Sequence, residues 1–238
     1  MGVAVFFAPE LVGDELTLDG PEGRHAAVVR RIGPGERIRL TDGRGSWAEG
    51  PVTAASKAGV TVSVQQRGHE AAALPRLVVV QALPKRERAE LAVEMLTEVG
   101  VDVIVPWNAE RSQFRNNPER SAKTYGKWQA WAFEASKQSR RSWFATVEPI
   151  ASTPEVARLL SAAALPVVLH EEAKTPLASL ELPTEGDIVI VIGPEGGIAP
   201  AELATFAAEP IRLGDTVLRT STAGVAAAAA LLSRSRWA

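Results

Sequence analysis

At residue 77 the chain changes its periodicity, and that change limits the folds open to it. Leu77-Val-Val-Val-Gln-Ala82 is a continuous apolar run, the pattern of a strand buried on both faces. Helical spacing follows at once. Ala89, Ala92, Leu96 and Val99 share one face over 84–99, and Gly100 is placed to cap it. Strand and helix patterns then alternate: strand 101–106, helices 118–139 and 154–163, strands 166–170 and 187–192, helix 200–207, a brief strand 211–213 and an alanine-rich helix 221–233. This alternation predicts an α/β domain over 77–238 built on a mostly parallel sheet.

The first 70 residues read differently. Short segments at 3–7, 15–18, 36–41, 47–54 and 60–64 are rich in β-branched or aromatic residues, the last alternating as Val60-Thr-Val62-Ser-Val64. Gly33-Pro-Gly35 and Asp42-Gly43-Arg44-Gly45 punctuate them as turns. One helix interrupts at 21–32, with Ala27, Val28 and Ile32 on one face. A small β-barrel with one helix is expected over 1–70. Residues 67–76 lack periodicity and hold Gly and Pro, which places a linker at 71–76 between the two domains.

Cysteine is absent, so disulfides, thiolate metal sites and a cysteine nucleophile are excluded, and a reducing compartment fits. The first ten residues have no basic stretch ahead of their short apolar run. The apolar stretch 223–232 is about half the length that spans a bilayer. A cytoplasmic protein without membrane contact is the expectation. The net charge of −2 is unevenly distributed. Residues 111–143 carry eight bases and two acids, a net +6, whereas 148–238 carry six bases and eleven acids, a net −5. Such asymmetry suits either a polyanion-binding face or a solvated helix surface.

Ligands of open α/β sheets bind beyond the carboxyl ends of the strands, which directs attention to the loops after residues 170, 192 and 213. The second reads Gly193-Pro-Glu-Gly196-Gly197-Ile-Ala-Pro200, where glycines let backbone approach a ligand and leave N–H groups free to donate. It ends in neither the Gly-Lys-Ser/Thr of a phosphate loop nor the spacing of a dinucleotide fingerprint. The third reads Leu213-Gly-Asp-Thr-Val-Leu-Arg-Thr-Ser-Thr222, in which Thr220, Ser221 and Thr222 can cap the last helix and Arg219 stands beside the crevice. His25, His69 and His170 have no metal-ligand spacing, so no metal is expected. A Gly-x-Ser-x-Gly elbow is missing as well.

Taken together, Ile192-Gly-Pro-Glu-Gly-Gly197 and Leu213-Gly-x-x-Val-Leu-Arg-Thr220 resemble the signature of the SPOUT class of RNA methyltransferases. The nearest likeness is to the RsmE-like family, which methylates N3 of a uridine in 16S ribosomal RNA. The likeness runs through His25-Ala-Ala-Val-Val-Arg-Arg-Ile-Gly-Pro-Gly-Glu36, Lys85-x-Glu87, Glu98-Val-Gly100, Glu110-Arg111-Ser112 and Glu134-Ala-Ser-Lys-Gln138-Ser-Arg140. It implies a PUA-like N-terminal barrel and a C-terminal domain whose mostly parallel sheet is tied in a trefoil knot. It further implies a homodimer, with S-adenosyl-L-methionine as cofactor and the small ribosomal subunit as partner.

By the same resemblance the cofactor is held among Leu169, His170, Ile192, Gly193, Glu195, Gly196, Gly197, Leu213, Gly214, Val217, Leu218 and Thr220. Arg219 is the expected catalytic residue, with Glu195 a weaker candidate. RNA contacts are expected from Arg24, Arg30, Arg31, Lys85, Arg86, Arg111, Lys137, Gln138, Arg140 and Arg141. Trp128, Trp131 and Trp143 interleave with these bases and suit base stacking, although 128 and 131 also have the spacing of core or dimer-interface residues. Two positions depart from the family: Ser221 stands where members commonly carry Glu, and Val5 where an Arg often precedes the aromatic pair. Two further readings share much of this pattern. One is a non-catalytic RNA-binding or ribosome-assembly factor on the same fold; the other is a related methyltransferase acting on another RNA or on ribose 2′-hydroxyl.

Overall fold

The computed structural model describes residues 3–84, 86–112 and 117–237, and of residues 86 and 87 the backbone alone. The chain folds into two compact units, one of residues 1–72 with 136–144, the other of 73–135 with 145–238.

The first unit holds β1 (Ala4–Phe7), β2 (Glu15–Leu18), α1 (Gly20–Arg24) continuing into a π turn at His25–Val29, β3 (Arg37–Thr41), β4 (Ser46–Ser56), β5 (Gly59–Ser63) and β6 (Gln66–His69). The strand order is β1-β3-β4-β5-β2, with β6 also paired to β4. The 11-residue β4 carries this arrangement: one half pairs with β3 and β6, the other with β5, and the register shifts between Val52 and Ala54. Phe6, Leu16, Ile38, Leu40, Val60 and Val62 fill the core. β6 lies where the sequence suggests the start of a linker. Its Gln-Arg-Gly-His has no apolar alternation because the strand is largely exposed, yet its backbone completes the ladder on β4.

Residues 136–144 belong to this unit rather than to the second domain, as helical periodicity alone suggests. The reason is a set of backbone bonds to the 43–45 turn. Gly45 N–H donates to Ser142 O (2.9 Å), Phe144 N–H donates to Gly43 O (2.9 Å), and the Trp143 indole donates to Glu70 O (2.8 Å). Gly43 and Gly45 sit at φ +69° and +95°, and a Cβ on Gly45 would lie 2.6 Å from the Trp143 ring nitrogen. Lys137 is buried here and ion-paired with Glu22, whose other carboxylate oxygen accepts from Phe7 N–H.

The second unit comprises β7 (Arg76–Ala82), α2 (Arg86–Val99), β8 (Val103–Trp107), α3 (Pro118–Gln138, its last three residues within the first unit), β9 (Thr146–Val147), α4 (Thr153–Ala162), β10 (Leu165–Leu169), β11 (Thr175–Pro176), β12 (Asp187–Ile192), α5 (Pro200–Phe206), β13 (Pro210–Arg212) and α6 (Thr220–Leu232). The seven strands are ordered β11-β13-β10-β12-β7-β8-β9, and every pairing is parallel. β7 lies between β12 and β8, and its alternate residues feed opposite faces. Leu77 and Val79 join Leu96, Ala227 and Leu231 of α2 and α6, while Val78 and Val80 join Val156, Leu160, Ile198 and Phe206 around α4 and α5. A strand covered on both sides has no polar face, which explains its unbroken apolar run. Trp128 is 1% exposed in the first of these clusters, with Trp131 packed against it; that places Trp128 in the core, not against nucleobases.

α6 begins at Thr220 with Arg219 as its N-cap residue and no side-chain cap bond. Thr220 and Ser221 are buried in its first turn, so they do not act as caps; Thr222 Oγ1 donates to Arg219 O (3.2 Å).

The Lys137–Glu22 pair gives a direct test of the first unit. Replacing Lys137 by Ala strands a largely buried carboxylate, a loss of about 3 kcal/mol. Urea unfolding of Lys137→Ala should show a lower midpoint, and Glu22→Gln in the same chain should restore part of it.

Candidate functional site at the carboxyl edge of the parallel sheet

β13, β10 and β12 are consecutive and parallel, so the loops that follow them open on the same edge of the sheet. This topology gathers residues 169–170, 193–199 and 213–219, distant in sequence, at neighbouring strand ends. Leu169 and His170 are half-buried. His170 N–H donates to Ile211 O (3.0 Å), and its ring Nδ1 accepts from Glu172 N–H (3.2 Å), which leaves the proton of the neutral ring on Nε2.

The loop after β12 is a tight turn closed by Gly197 N–H to Pro194 O (2.9 Å). Glu195 occupies its exposed corner, and Gly197 has φ +73°. The glycines have different duties. A Cβ on Gly193 would lie 2.7 Å from Ile198 Cγ1, so Gly193 admits the buried Ile198. A Cβ on Gly196 would lie 3.3 Å from Arg111 Cβ, and the Arg111 guanidinium donates to Gly196 O (3.0 Å). Gly196 and Gly197 are exposed, and a Cβ on Gly214 would meet nothing within 4 Å. Val217 and Leu218 expose apolar side chains, 75% and 41%, in the third loop, while Ile192 closes the strand beneath, buried. Leu213 is half-buried and the Arg219 side chain is exposed. Open backbone and aliphatic surface beside the carboxylates of Glu195 and Asp215 suit a ligand with a flat heterocycle and a cationic centre better than a phosphate.

Sequence reasoning missed Glu202. It is 4% exposed, and three donors converge on it: Ala199 N–H (3.0 Å), Glu110 N–H (2.8 Å) and the Thr153 hydroxyl (3.0 Å). Thr153 Oγ1 in turn accepts from the Trp107 indole (3.3 Å). One carboxylate therefore caps α5 directly after the glycine turn and fastens it to the loop after β8, whose next residue, Arg111, reaches Gly196. The available signal was local: Glu three residues beyond Ala199, in a helix opened by Pro200, has the spacing of a capping box.

Among the expected RNA contacts, Arg24, Arg30 and Arg31 are exposed in the first unit, as are Gln138 and Arg140. Arg140 has φ +58° and Arg31 φ +56°, in left-handed backbone. Arg141 is half-buried and its Nε donates to Trp143 O (2.8 Å). Lys137 corrects the sequence reading: buried against Glu22, it offers no charge to a phosphate. Arg111 bonds the glycine turn. Lys85 and the Arg86 side chain lie outside the described residues. Among the described residues no group of three potential metal ligands occurs, and no helix is long and apolar enough to cross a membrane.

A family model described as an RNA methyltransferase domain matches residues 72–232, and one described as an RNA methyltransferase PUA domain matches residues 18–65. The chain is 41% identical over 246 residues to the ribosomal RNA small subunit methyltransferase E of Mycobacterium bovis, covering 99% of this chain and 94% of that protein. It is 27% identical over 227 residues to the protein of the same name from Bacillus subtilis, covering 90% and 88%. A Neisseria gonorrhoeae ribosomal RNA small subunit methyltransferase E, solved bound to S-adenosyl methionine, superposes with a TM-score of 0.85 at 26% identity over 98% of each chain. A Legionella pneumophila protein solved with bound cofactor SAM superposes with a TM-score of 0.87 at 26% identity over 99% of each chain.

Glu202→Ala should leave two backbone N–H groups and a hydroxyl without their acceptor, at about 1–3 kcal/mol for each group kept from water. A lowered thermal midpoint, together with faster hydrogen exchange at the amides of Glu110 and Ala199, is the expected result. Unchanged exchange at both would remove Glu202 from this role.

Proposed function

Because the chain belongs to the RNA methyltransferase family, with a PUA domain ahead of the methyltransferase domain, we propose that it methylates N3 of a uridine in 16S ribosomal RNA of the small subunit, using S-adenosyl-L-methionine. The observation that carries this reading is the glycine turn held at the carboxyl edge beside the 213–219 loop, in a chain 41% identical along nearly its whole length to a small-subunit rRNA methyltransferase. The C-terminal sheet is tied in the trefoil knot of its class, and two copies pair to complete the sites. The enzyme works in the cytoplasm, where its ribosomal substrate is made.

The residues present fit the cofactor. Gly196 and Gly197 present exposed backbone, Gly197 and Gly214 with room beside it, and Val217 and Leu218 supply aliphatic surface for an adenine ring. Leu169, His170, Ile192, Gly193, Leu213 and Thr220 form the surrounding wall. When bound, the cofactor supplies a sulfonium methyl open to in-line attack.

The chain's own task is to handle a proton and a charge. Uridine N3–H is a weak acid, so its proton must leave before or during attack, and a positioned group assisting that step contributes about 10²–10⁴-fold. Arg219, exposed at the head of α6, orients the uracil and stabilises the negative charge that grows as N3 is deprotonated. The identity of the group that takes the proton stays open; Glu195, on the exposed corner of the turn, is the weaker catalytic candidate beside Arg219. Ser221 cannot serve as base: it is a hydroxyl, buried in the first turn of α6. Arg24, Arg30, Arg31, Gln138 and Arg140, exposed in the first unit, fix the RNA through its phosphates, which position without specifying sequence.

The decisive experiment is methylation of 30S particles from cells lacking the enzyme, with labelled cofactor and mass analysis of the digested RNA. Label on N3 of one uridine is expected. Absence of label with retained RNA binding would favour a non-catalytic assembly factor, and label on ribose would favour 2′-hydroxyl methylation. Arg219→Ala should keep the cofactor affinity of the parent and lose turnover by at least about 10²-fold; single-turnover rates measure it. Gly196→Val should lose cofactor binding in calorimetry, because its branched side chain meets Arg111, whose Cβ stands 3.3 Å from the new Cβ, and displaces the turn that Arg111 braces.

A further inference from the structure

The 42–46 turn of the first unit is held more firmly than an exposed turn requires. Asp42 Oδ1 accepts from the N–H groups of Arg44 (2.7 Å) and Ser46 (3.0 Å), and Thr41 Oγ1 accepts from Gly43 N–H (3.1 Å). Gly45 O accepts from Glu70 N–H (2.9 Å), while the bonds to residues 142 and 144 brace the turn from the other side. Arg44, at the tip, pairs through its backbone with Trp143 in an antiparallel bridge. Its side chain takes no part in any of this. It is exposed and, among the described residues, has no hydrogen-bond or ion-pair partner. The acids of the neighbouring chain are engaged elsewhere: Asp42 with the turn, Glu49 with Arg37 and Arg39, and Glu70 with Arg39 (3.8 Å).

A second arginine stands on the segment that braces this turn. α3 closes with Arg140 N–H donating to Lys137 O (3.0 Å) and Arg141 N–H donating to Ser136 O (3.0 Å), and Arg140 lies at φ +58°. Glycine is the usual residue at the left-handed position that ends a helix in this way, because a Cβ is crowded there. Here the position carries a long side chain, exposed and, like that of Arg44, without a partner among the described residues. An arginine held in strained backbone and left unpaired is explained by a ligand outside the chain. Arg140 precedes Trp143 by three residues, at most about 11 Å of chain, and Trp143 faces Arg44 across the bridge. The two guanidinium groups therefore serve one short stretch of surface.

We propose that Arg44 and Arg140 hold neighbouring phosphates of one strand of the RNA substrate, on a turn whose bonds fix their placement before the RNA arrives. The inference rests on the RNA methyltransferase reading above and deepens it, adding Arg44 to the RNA-binding residues and joining it to Arg140. Each guanidinium is a planar fork that matches a phosphate with two parallel hydrogen bonds. The braced turn spares the entropy loss that a mobile loop suffers on binding. Contacts of this kind set the register of the RNA on the first unit and leave the choice of base to the methyltransferase site.

Filter binding of small-subunit RNA across a salt series, read beside the thermal midpoint, tests the pair. Arg44→Gln should weaken RNA binding about tenfold and reduce the slope of log affinity against log salt by about 0.7, with the midpoint and cofactor affinity of the parent. Arg44→Lys keeps the charge and should restore the slope. Arg140→Gly should lose the same increment of slope yet raise the midpoint by about 2–4 °C, because glycine relieves the left-handed strain. In the double variant the slope should fall by about 1.4, one increment for each phosphate. A slope unchanged in either single variant, a slope not restored in Arg44→Lys, or a lowered midpoint in Arg140→Gly overturns the proposal. A parent that binds this RNA but transfers no methyl group defeats the reading of function instead, and the salt slopes still decide the phosphate contacts.

Discussion

Seven strands running the same way leave all their carboxyl ends on one edge, and the rest of the second unit is a consequence of that constraint. Parallel strands cannot be joined by tight hairpins; α2, α3, α4 and α5 carry the chain between β7 and β8, β8 and β9, β9 and β10, and β12 and β13, while β10, β11 and β12 are joined without an α-helix. The loops at the carboxyl edge are then the places where chain from remote segments converges. The 193–199 turn, the 213–219 loop and the 108–112 loop are such places, and neither face of the buried sheet offers another. Because β7 is covered on both sides, its hydrogen-bonded neighbours β12 and β8 cannot slip without exposing one apolar row or the other. The loops inherit this fixed register.

What holds those loops once they meet is polar and local. Glu202 serves two backbone segments and a threonine with one carboxylate, in a site that is 4% exposed. Buried networks of this kind are worth keeping only when every member is satisfied, and here Trp107, Thr153, Glu110 and Ala199 all find partners through it. Arg111 extends the connection to the carbonyl of Gly196. The glycine turn is thus braced from outside the crevice, which leaves its inner backbone groups available to a ligand.

Periodicity made the α/β alternation legible because two-sided burial writes itself as uninterrupted apolar runs; 187–192 is the same strand in sequence and structure. Short or exposed elements carried no such mark. β9 and β11 are two residues each, and β6 is largely exposed, so backbone pairing rather than side-chain burial makes them strands. The assignment of 136–144 to the first unit was hidden for a related reason. It depends on Gly45 accepting Trp143 at close range, a non-local fit that no window of sequence contains. The glycine loops were visible as glycines, but their division of labour was not: Gly193 serves Ile198, whereas Gly197 serves the turn.

Charge gave the least dependable signal, and the reason is physical. A count along the chain treats every basic residue of 111–143 as equivalent, yet burial sorts them. Lys137 is neutralised by Glu22 inside the first unit, Arg141 is bonded to a carbonyl, and Arg111 braces the glycine turn. Arg120, Lys123 and Lys127 stay on the surface of α3. Of the eight bases, three are therefore structural, Arg120, Lys123, Lys127 and Arg140 are exposed, and Arg115 lies outside the described residues. The acids of 148–238 are sorted by burial in the same way: Glu202 is buried under three donors, whereas Glu195 and Asp215 are exposed at the carboxyl edge. An enzyme acting on RNA gains from the exposed cations alone, because only a cation that solvent reaches can draw the polyanion in by its phosphates.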